Sequence, residues 1–170
     1  MVCYYVSGKS PDIRGVHITE QTKIEISPDQ PQDYHWEGHG FNVQIPAGAF
    51  ATTRPVTRVV IHIRAGLSGE YKLPDDRVLV SEVFRLSLDP PVETFHKKVT
   101  LALQHCALDD DSTLTFITST QDNPPYTFLP LPGGSFSESG LGAIDVDHFS
   151  PFGLIGRGKV VYFLHILPTH

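Results

Sequence analysis

The stretch VVIHIRA, residues 59–65, decides the fold class, because apolar and polar side chains alternate along it. Apolar residues fall on one face of the extended chain: Val59, Ile61, Ile63 and Ala65. The other face carries Val60, His62 and Arg64. This period of two is typical of a strand that buries one face in a core.

Similar short segments lie on both sides of this stretch. They are KIEI (23–26), GFNVQI (40–45), VSEVFRLSL (80–88), VTLALQH (99–105), LTFITST (114–120), YTFLPL (126–131) and AIDVDHF (143–149). The 14 glycines and 14 prolines of the chain supply turn signals between them. The sequence therefore predicts an all-β fold with little helix, an antiparallel β-sandwich or a barrel. A short helical turn is expected near residues 109–111, and the adjacent apolar pair Val83-Phe84 predicts a bulge.

Length and composition indicate one globular domain. The chain has 170 residues and a formal net charge of −6, and it contains no run of lysine and arginine. This charge argues against nucleic acid and against an anionic membrane surface as partners. We divide the chain into an N-terminal strand and polar loop (1–34), a sandwich domain (35–155) and a short apolar tail or extra strand (156–170).

Neither end of the sequence predicts a membrane or secretory segment. The N-terminus lacks the charged and apolar regions of a signal peptide. The apolar stretch VVYFLHIL, residues 160–167, is much shorter than the roughly 20 residues of a membrane helix. The two cysteines, Cys3 and Cys106, are expected to be reduced, with Cys106 a buried thiol, which favours an intracellular compartment.

Four segments, taken in order, resemble a known family. They are GHGFNVQIPAGAF (38–50), VVIHIRAGLSGEYKLPDDRVLVSEVFRLSLDPP (59–91), FHKKVTLALQHCA (95–107) and AIDVDHFSPFG (143–153). Together they are similar to the ZU-five domain of zonula occludens scaffolds, the netrin receptor Unc-five, ankyrins and a self-cleaving death-domain adaptor. The IPAGA and LQHCA pieces are the most specific.

This resemblance implies a β-sandwich that binds other proteins inside a larger cytoplasmic signalling protein, or in the cytoplasmic part of one. It implies a scaffold or adaptor role without enzymatic activity or cofactor. The partners that it implies are an adjacent β domain or a death-domain protein. The apolar stretch 160–167 is a candidate contact surface.

The triplet His148-Phe149-Ser150 has two interpretations. In the first it is a strand end, with Phe149 in the core and His148 and Ser150 together on the other face at the rim. In the second it is a self-cleavage site, in which Ser150 attacks the Phe149 carbonyl and His148 acts as the base. The triplet is similar to the cleaved triplets of the self-processing death-domain adaptor and of a self-processing nucleoporin. Self-processing is therefore the alternative function.

Three further patterns are expected to be structural. HWEGH (35–39) could supply zinc ligands together with His105 and Cys106, but Gly38 and Gly40 indicate a turn with solvated histidines. Trp36 is expected to be a core or interface anchor. DDDS (109–112) lacks the alternating acids of a calcium loop, and GRGK (156–159) lacks the spacing of a phosphate loop. No metal site is expected.

Overall fold

The computed structural model describes residues 20–50, 58–67, 69–92, 94–107 and 113–157. The turn predicted near residues 109–111, the DDDS stretch and the apolar stretch 160–167 lie outside these ranges, as do the last two residues of GRGK, Gly158 and Lys159.

Two antiparallel sheets form the molecule, as the alternating segments predict. The front sheet has the strand order β1 (Glu20–Ile26), β4 (Val59–Ala65), β7 (Phe84–Asp89), β14 (Pro151–Gly156), β9 (Thr115–Thr118) and β11 (Leu129–Leu131), and β6 (Val78–Leu79) also pairs with β14. The back sheet has the order β12 (Ser135–Ser137), β13 (Leu141–Val146), β8 (Val99–Gln104), β3 (Phe41–Ile45) and β2 (Gln32–Trp36). A short parallel pair, β5 (Tyr71–Lys72) with β10 (Tyr126–Thr127), lies beside them, and one 3-10 turn spans Glu37–His39.

The main core lies between the two sheets, and the four predicted inward side chains of β4 belong to it. All four are fully buried: Val59, Ile61, Ile63 and Ala65. The back sheet contributes Val99, Leu101 and Leu103 of β8 to the same cluster. Phe41 of β3 contacts Phe84 of β7 across the interior, with ring centroids 4.6 Å apart. Fully burying a side chain of this kind stabilises the fold by about 1.5–3 kcal/mol, so the facing apolar rows hold the sheets together.

A second, smaller apolar cluster covers the other side of the front sheet. Ile117 of β9 and Ile155 of β14 turn away from the main core and pack with Val83, Tyr126 and Phe128. Both faces of these strands are therefore buried. The same arrangement explains why two apolar residues are adjacent at Val83-Phe84. Phe84, at the start of β7, packs in the main core, whereas Val83 packs in the second cluster. The pair does not mark a bulge within β7.

Tyr71 of β5 closes this second layer. Its hydroxyl donates to the Leu67 carbonyl oxygen and accepts a hydrogen bond from the Leu67 N–H at 3.1 Å. Burial raises the pKa of the Tyr71 phenol above its ordinary value.

The expectation of a reduced thiol at Cys106 is wrong. Cys106 is only 9% exposed and is disulfide-bonded. The chain has one other cysteine, Cys3, which lies outside the described residues. Because disulfides are rare in the cytosol, the cysteines no longer favour an intracellular compartment.

The sheets include residues on both sides of the predicted 35–155 range. β1 pairs with β4 along its whole length, from Glu20 to Ile26, and β2 pairs with β3. β14 extends to Gly156. In the part of the chain that the structure describes, no helix is both long and apolar enough to cross a membrane.

Candidate functional site

The outward faces of β1, β4 and β7 form an open groove with a volume of about 550 Å³. Small-molecule sites commonly fall between about 300 and 1,000 Å³. Four basic side chains line this groove: Lys23, His62, Arg64 and Arg85. We call it the cationic groove. It lies on the face of the front sheet opposite the main core.

Because β1, β4 and β7 pair in register, the side chains on this face form rows that run across the three strands. Gln21, Arg64 and Arg85 lie directly opposite one another in the first row, and Lys23, His62 and Ser87 form the second. The third row contains Glu25, Val60 and Asp89. Alternation along each strand points all three rows to the same side. Positive charge is thus confined to two rows, and acidic residues bound one end.

The two arginines of the first row have different partners. Arg85 donates from Nη2 to Asp122 Oδ1 at 2.7 Å and from Nη1 to the Asp122 carbonyl oxygen at 2.8 Å. Among the described residues, the side chain of Arg64 has no hydrogen bond or ion pair. Like charges directly opposite on neighbouring strands destabilise a sheet. The cationic groove therefore holds positive charge that the described residues only partly compensate.

The triplet His148-Phe149-Ser150 lies between two strands, with Phe149 packed against the main core and His148 exposed. The burial expected of a strand end is therefore present, but the alternation of faces does not continue through the triplet. β13 ends at Val146 and β14 begins at Pro151. The chain must cross here from the back sheet to the front sheet, so alternation cannot continue through the triplet. The proline has no N–H to donate, which suits it to the first position of a strand.

The structure does not bring the predicted base and nucleophile together. His148 is about half exposed, and its Nδ1 lies 2.7 Å from Asp147 Oδ1. Ser150 Oγ lies 2.6 Å from Thr118 Oγ1 on the neighbouring β9. The hydrogen bond from His148 lowers the pKa of the Asp147 carboxyl. Between them, Phe149 packs edge-on against Phe95, with ring centroids 4.7 Å apart.

Thr118 and Asp147 are neighbours of the triplet that the sequence analysis did not identify. Asp147 precedes His148 directly, so the pair could have been read from the sequence as Asp-His. Thr118 is remote in sequence from Ser150 and becomes its partner only because β9 pairs with β14. No local pattern indicates this pairing.

The two histidines of HWEGH have different environments. His35 lies on β2 and is exposed, with Nδ1 at 2.5 Å from Asn42 Oδ1. The side chain of His39 is only 11% exposed, and its ring nitrogens lie 2.6 Å from Glu82 Oε2 and 2.8 Å from Glu20 Oε2. The expectation of a solvated His39 is therefore wrong.

This second cluster, which we call the His39 clasp, consists of His39, Glu20 and Glu82. The His39 ring also lies against Trp36, with centroids 4.2 Å apart, and Trp36 is partly buried against the core. Among the described residues, no group of three histidine, cysteine or acidic side chains is arranged to hold a metal ion.

In comparisons with models of known protein families and with curated proteins, the chain matches none of them significantly.

Proposed function

We propose that this chain is a protein-interaction domain of ZU-five type, a non-enzymatic scaffold or adaptor module that binds its partner through the cationic groove. The observation that carries this proposal is the groove itself. It is an open concave surface of about 550 Å³ on the exposed face of a packed sandwich.

The scaffold supports a recognition role. On the side that faces the main core, β1, β4 and β7 are held in place by buried side chains, among them Ile61, Ile63 and Leu86. Their outward side chains are therefore held in a defined pattern before any partner arrives. Preorganisation of this kind lowers the entropic cost of association.

Charge also supports this role. The whole chain carries a formal net charge of −6, yet the first two rows of the cationic groove are basic. A local patch of opposite sign steers a complementary partner and orients it as it approaches.

The cellular setting is a further proposal. The resemblance to ZU-five domains supports a cytoplasmic signalling protein whose partners include an adjacent β domain or a death-domain protein. The Cys106 disulfide opposes a reducing compartment. Alkylation of the protein as it is extracted from its own cells decides this point, because a cytoplasmic protein is expected to contain free thiols.

Site-specific photocrosslinking tests the binding role. A benzophenone side chain is placed at Ser87, which is exposed in the cationic groove, or at Ser139, which is exposed in the turn between β12 and β13. We expect discrete adducts in extract of the source cells from Ser87 and not from Ser139. Equal adduct patterns from the two positions, or none from Ser87, would contradict the proposal.

Self-processing at Phe149-Ser150 is the second candidate function, and the anchoring of this bond favours it. Phe149 is held by Phe50 and Phe95 on one side of the bond. Ser150 is held by Thr118 on the other side. A peptide bond fixed at both ends is one on which the surrounding fold can impose strain.

The chemistry would proceed in two steps. Ser150 Oγ attacks the Phe149 carbonyl carbon, the C–N bond breaks, and an ester and the free Ser150 amine result. Water then hydrolyses the ester and leaves the Phe149 carboxylate. For His148 to take the hydroxyl proton, one of its ring nitrogens must come within hydrogen-bond reach of Ser150 Oγ, which bonds Thr118 Oγ1 in the structure.

Intact mass of freshly purified protein tests this second candidate. Cleavage would give pieces of 149 and 21 residues from the 170-residue chain. Ser150→Ala should abolish it, whereas the control Ser137→Ala should not. A single uncleaved mass after days at neutral pH would remove self-processing from consideration.

A further inference from the structure

We propose that the cationic groove binds an acidic peptide segment of the partner protein, one whose side chains carry phosphate or carboxylate groups. This inference rests on the proposed function and names the chemistry of the partner. The anionic groups would be held by Lys23, His62, Arg64 and Arg85.

The spacing of the basic side chains fits anionic groups in series. Neighbouring strands lie about 4.8 Å apart, and residues two apart on one strand lie about 6.8 Å apart. Arg64 and Arg85 are direct neighbours across β4 and β7, and Lys23 and His62 are direct neighbours across β1 and β4. Each pair can share one phosphate or carboxylate, and the distance between the two rows matches alternate residues of an extended peptide.

The first row offers the stronger contacts. Guanidinium groups bind phosphate and carboxylate oxygens through two parallel N–H donors. Arg85 is already oriented by Asp122, whose side chain is 78% exposed and hence shielded by solvent. Among the described residues, the side chain of Arg64 has no partner of its own, so its donors remain available to a ligand. An anion bridging the two arginines would also relieve their mutual repulsion.

The third row favours a peptide over a membrane or a nucleic acid. Glu25 and Asp89 bound the groove on one side, and Glu25 accepts from Arg58 Nη1 at 3.0 Å. An anionic membrane surface or a nucleic acid backbone is negatively charged throughout and would bring negative charge close to this acidic row. A peptide can place its acidic residues on the first two rows and neutral or basic residues on the third. The net charge of −6 opposes an anionic membrane in the same way.

Fluorescence polarisation with the full chain tests the inference. The probes are one labelled Ser/Gly peptide, the same peptide with two alternate glutamates, and the same peptide with two alternate phosphoserines. Inositol hexakisphosphate and phosphatidylserine vesicles serve as non-peptide competitors. We expect saturable binding of both acidic peptides, stronger for the phosphopeptide, and a marked loss of affinity on raising the salt concentration.

Variants locate the binding. Arg64→Gln is expected to weaken phosphopeptide binding about tenfold or more, because it removes charge-assisted bonds. Lys23→Gln is expected to weaken phosphopeptide binding less, since a lysine ammonium is a point charge and lacks the two parallel N–H donors of a guanidinium group. The matched control is Arg157→Gln, which removes an exposed arginine just after β14 and outside the groove. Because Arg64 and Lys23 are solvent-facing, circular dichroism should show both variants folded.

Several results would overturn the inference. One is failure of both acidic peptides to bind at millimolar concentration. Others are an equal loss of binding in Arg157→Gln and Arg64→Gln, or displacement by vesicles or inositol phosphate at lower concentration than by unlabelled peptide. If Ser87 still yields specific crosslinks in such a case, the proposed function stands and only its acidic ligand is wrong. If the peptides bind but Ser87 yields no adduct, the anion site stands and the interaction role fails.

Discussion

Replacing His39 by alanine tests whether the His39 clasp links the two sheets. His39 lies in the 3-10 turn between β2 and β3 of the back sheet. Its ring nitrogens contact Glu20 at the start of β1 in the front sheet and Glu82 in the loop just before β7 of the same sheet. The clasp is thus a polar connection between the two layers.

The structure sets the size of the expected effect. The contact with Glu82 joins side chains that are 11% and 22% exposed, and a hydrogen bond to a charged group in such a position contributes about 1.5–3 kcal/mol. Glu20 is 56% exposed, so its contact contributes about 0.2–1 kcal/mol. Some of this is regained when water reaches Glu82. We therefore expect His39→Ala to lower the free energy of unfolding by about 2–3 kcal/mol.

Urea unfolding followed by circular dichroism measures this difference, and His35→Ala is its matched control. His35 lies four residues earlier with a side chain that is 54% exposed, so its loss should cost at most about 1 kcal/mol. The reasoning is refuted if the two variants lose the same stability, or if His39→Ala is as stable as the unaltered protein.

Three further predictions concern the layers and turns. Burial raises the pKa of the Tyr71 phenol above its ordinary value of 10.0. Above pH about 10 the folded state therefore keeps a phenol proton that the unfolded chain releases. The contribution of this group to the free energy of unfolding should be fully present below pH about 10 and be lost as the pH rises above it. Urea unfolding from pH 8 to 11 measures this loss of unfolding free energy, which should be smaller in Tyr71→Phe. An equal loss in the variant and the unaltered protein would contradict the assignment. Phe116→Ala should cost about 3–5 kcal/mol in thermal or urea unfolding because the ring is fully buried, whereas Leu129→Ala, at a side chain 60% exposed, should cost under about 0.5 kcal/mol; similar costs would exclude the proposed core. Gly134→Ala should lower the melting temperature more than Gly133→Ala, since both residues have positive φ but only at Gly134 would a Cβ lie 2.8 Å from the Phe116 ring; the reverse order would refute this packing.

The sequence predicts strands best where one face is buried and the other is solvated. β4 is such a strand, and the inward residues Ile61 and Ile63 were identified from alternation alone. β9 and β14 are buried on both faces, so the role of Ile117 depends on Phe128 and other residues remote from it in sequence. The second layer could not be predicted because nothing in a local pattern shows which segment covers the far side of a sheet.

The candidate sites were predicted less well, for a related reason. Alternation placed His62 and Arg64 on the outward face of β4, but a groove also requires Lys23 and Arg85 in register on the neighbouring strands. That register follows from the order β1-β4-β7, which depends on long-range pairing. Alternation did not predict that β13 ends at Val146, because the chain crosses between the sheets after this residue.

Chemical-shift mapping tests the central claim most directly. Uniformly ¹⁵N-labelled protein is titrated with the doubly phosphorylated peptide, and backbone and arginine side-chain resonances are followed. We predict that the largest changes fall on Lys23, His62, Arg64 and Arg85, with little change at Ser137 on the edge strand of the back sheet. Changes centred on the back sheet, or none at a saturating peptide concentration, would contradict the account.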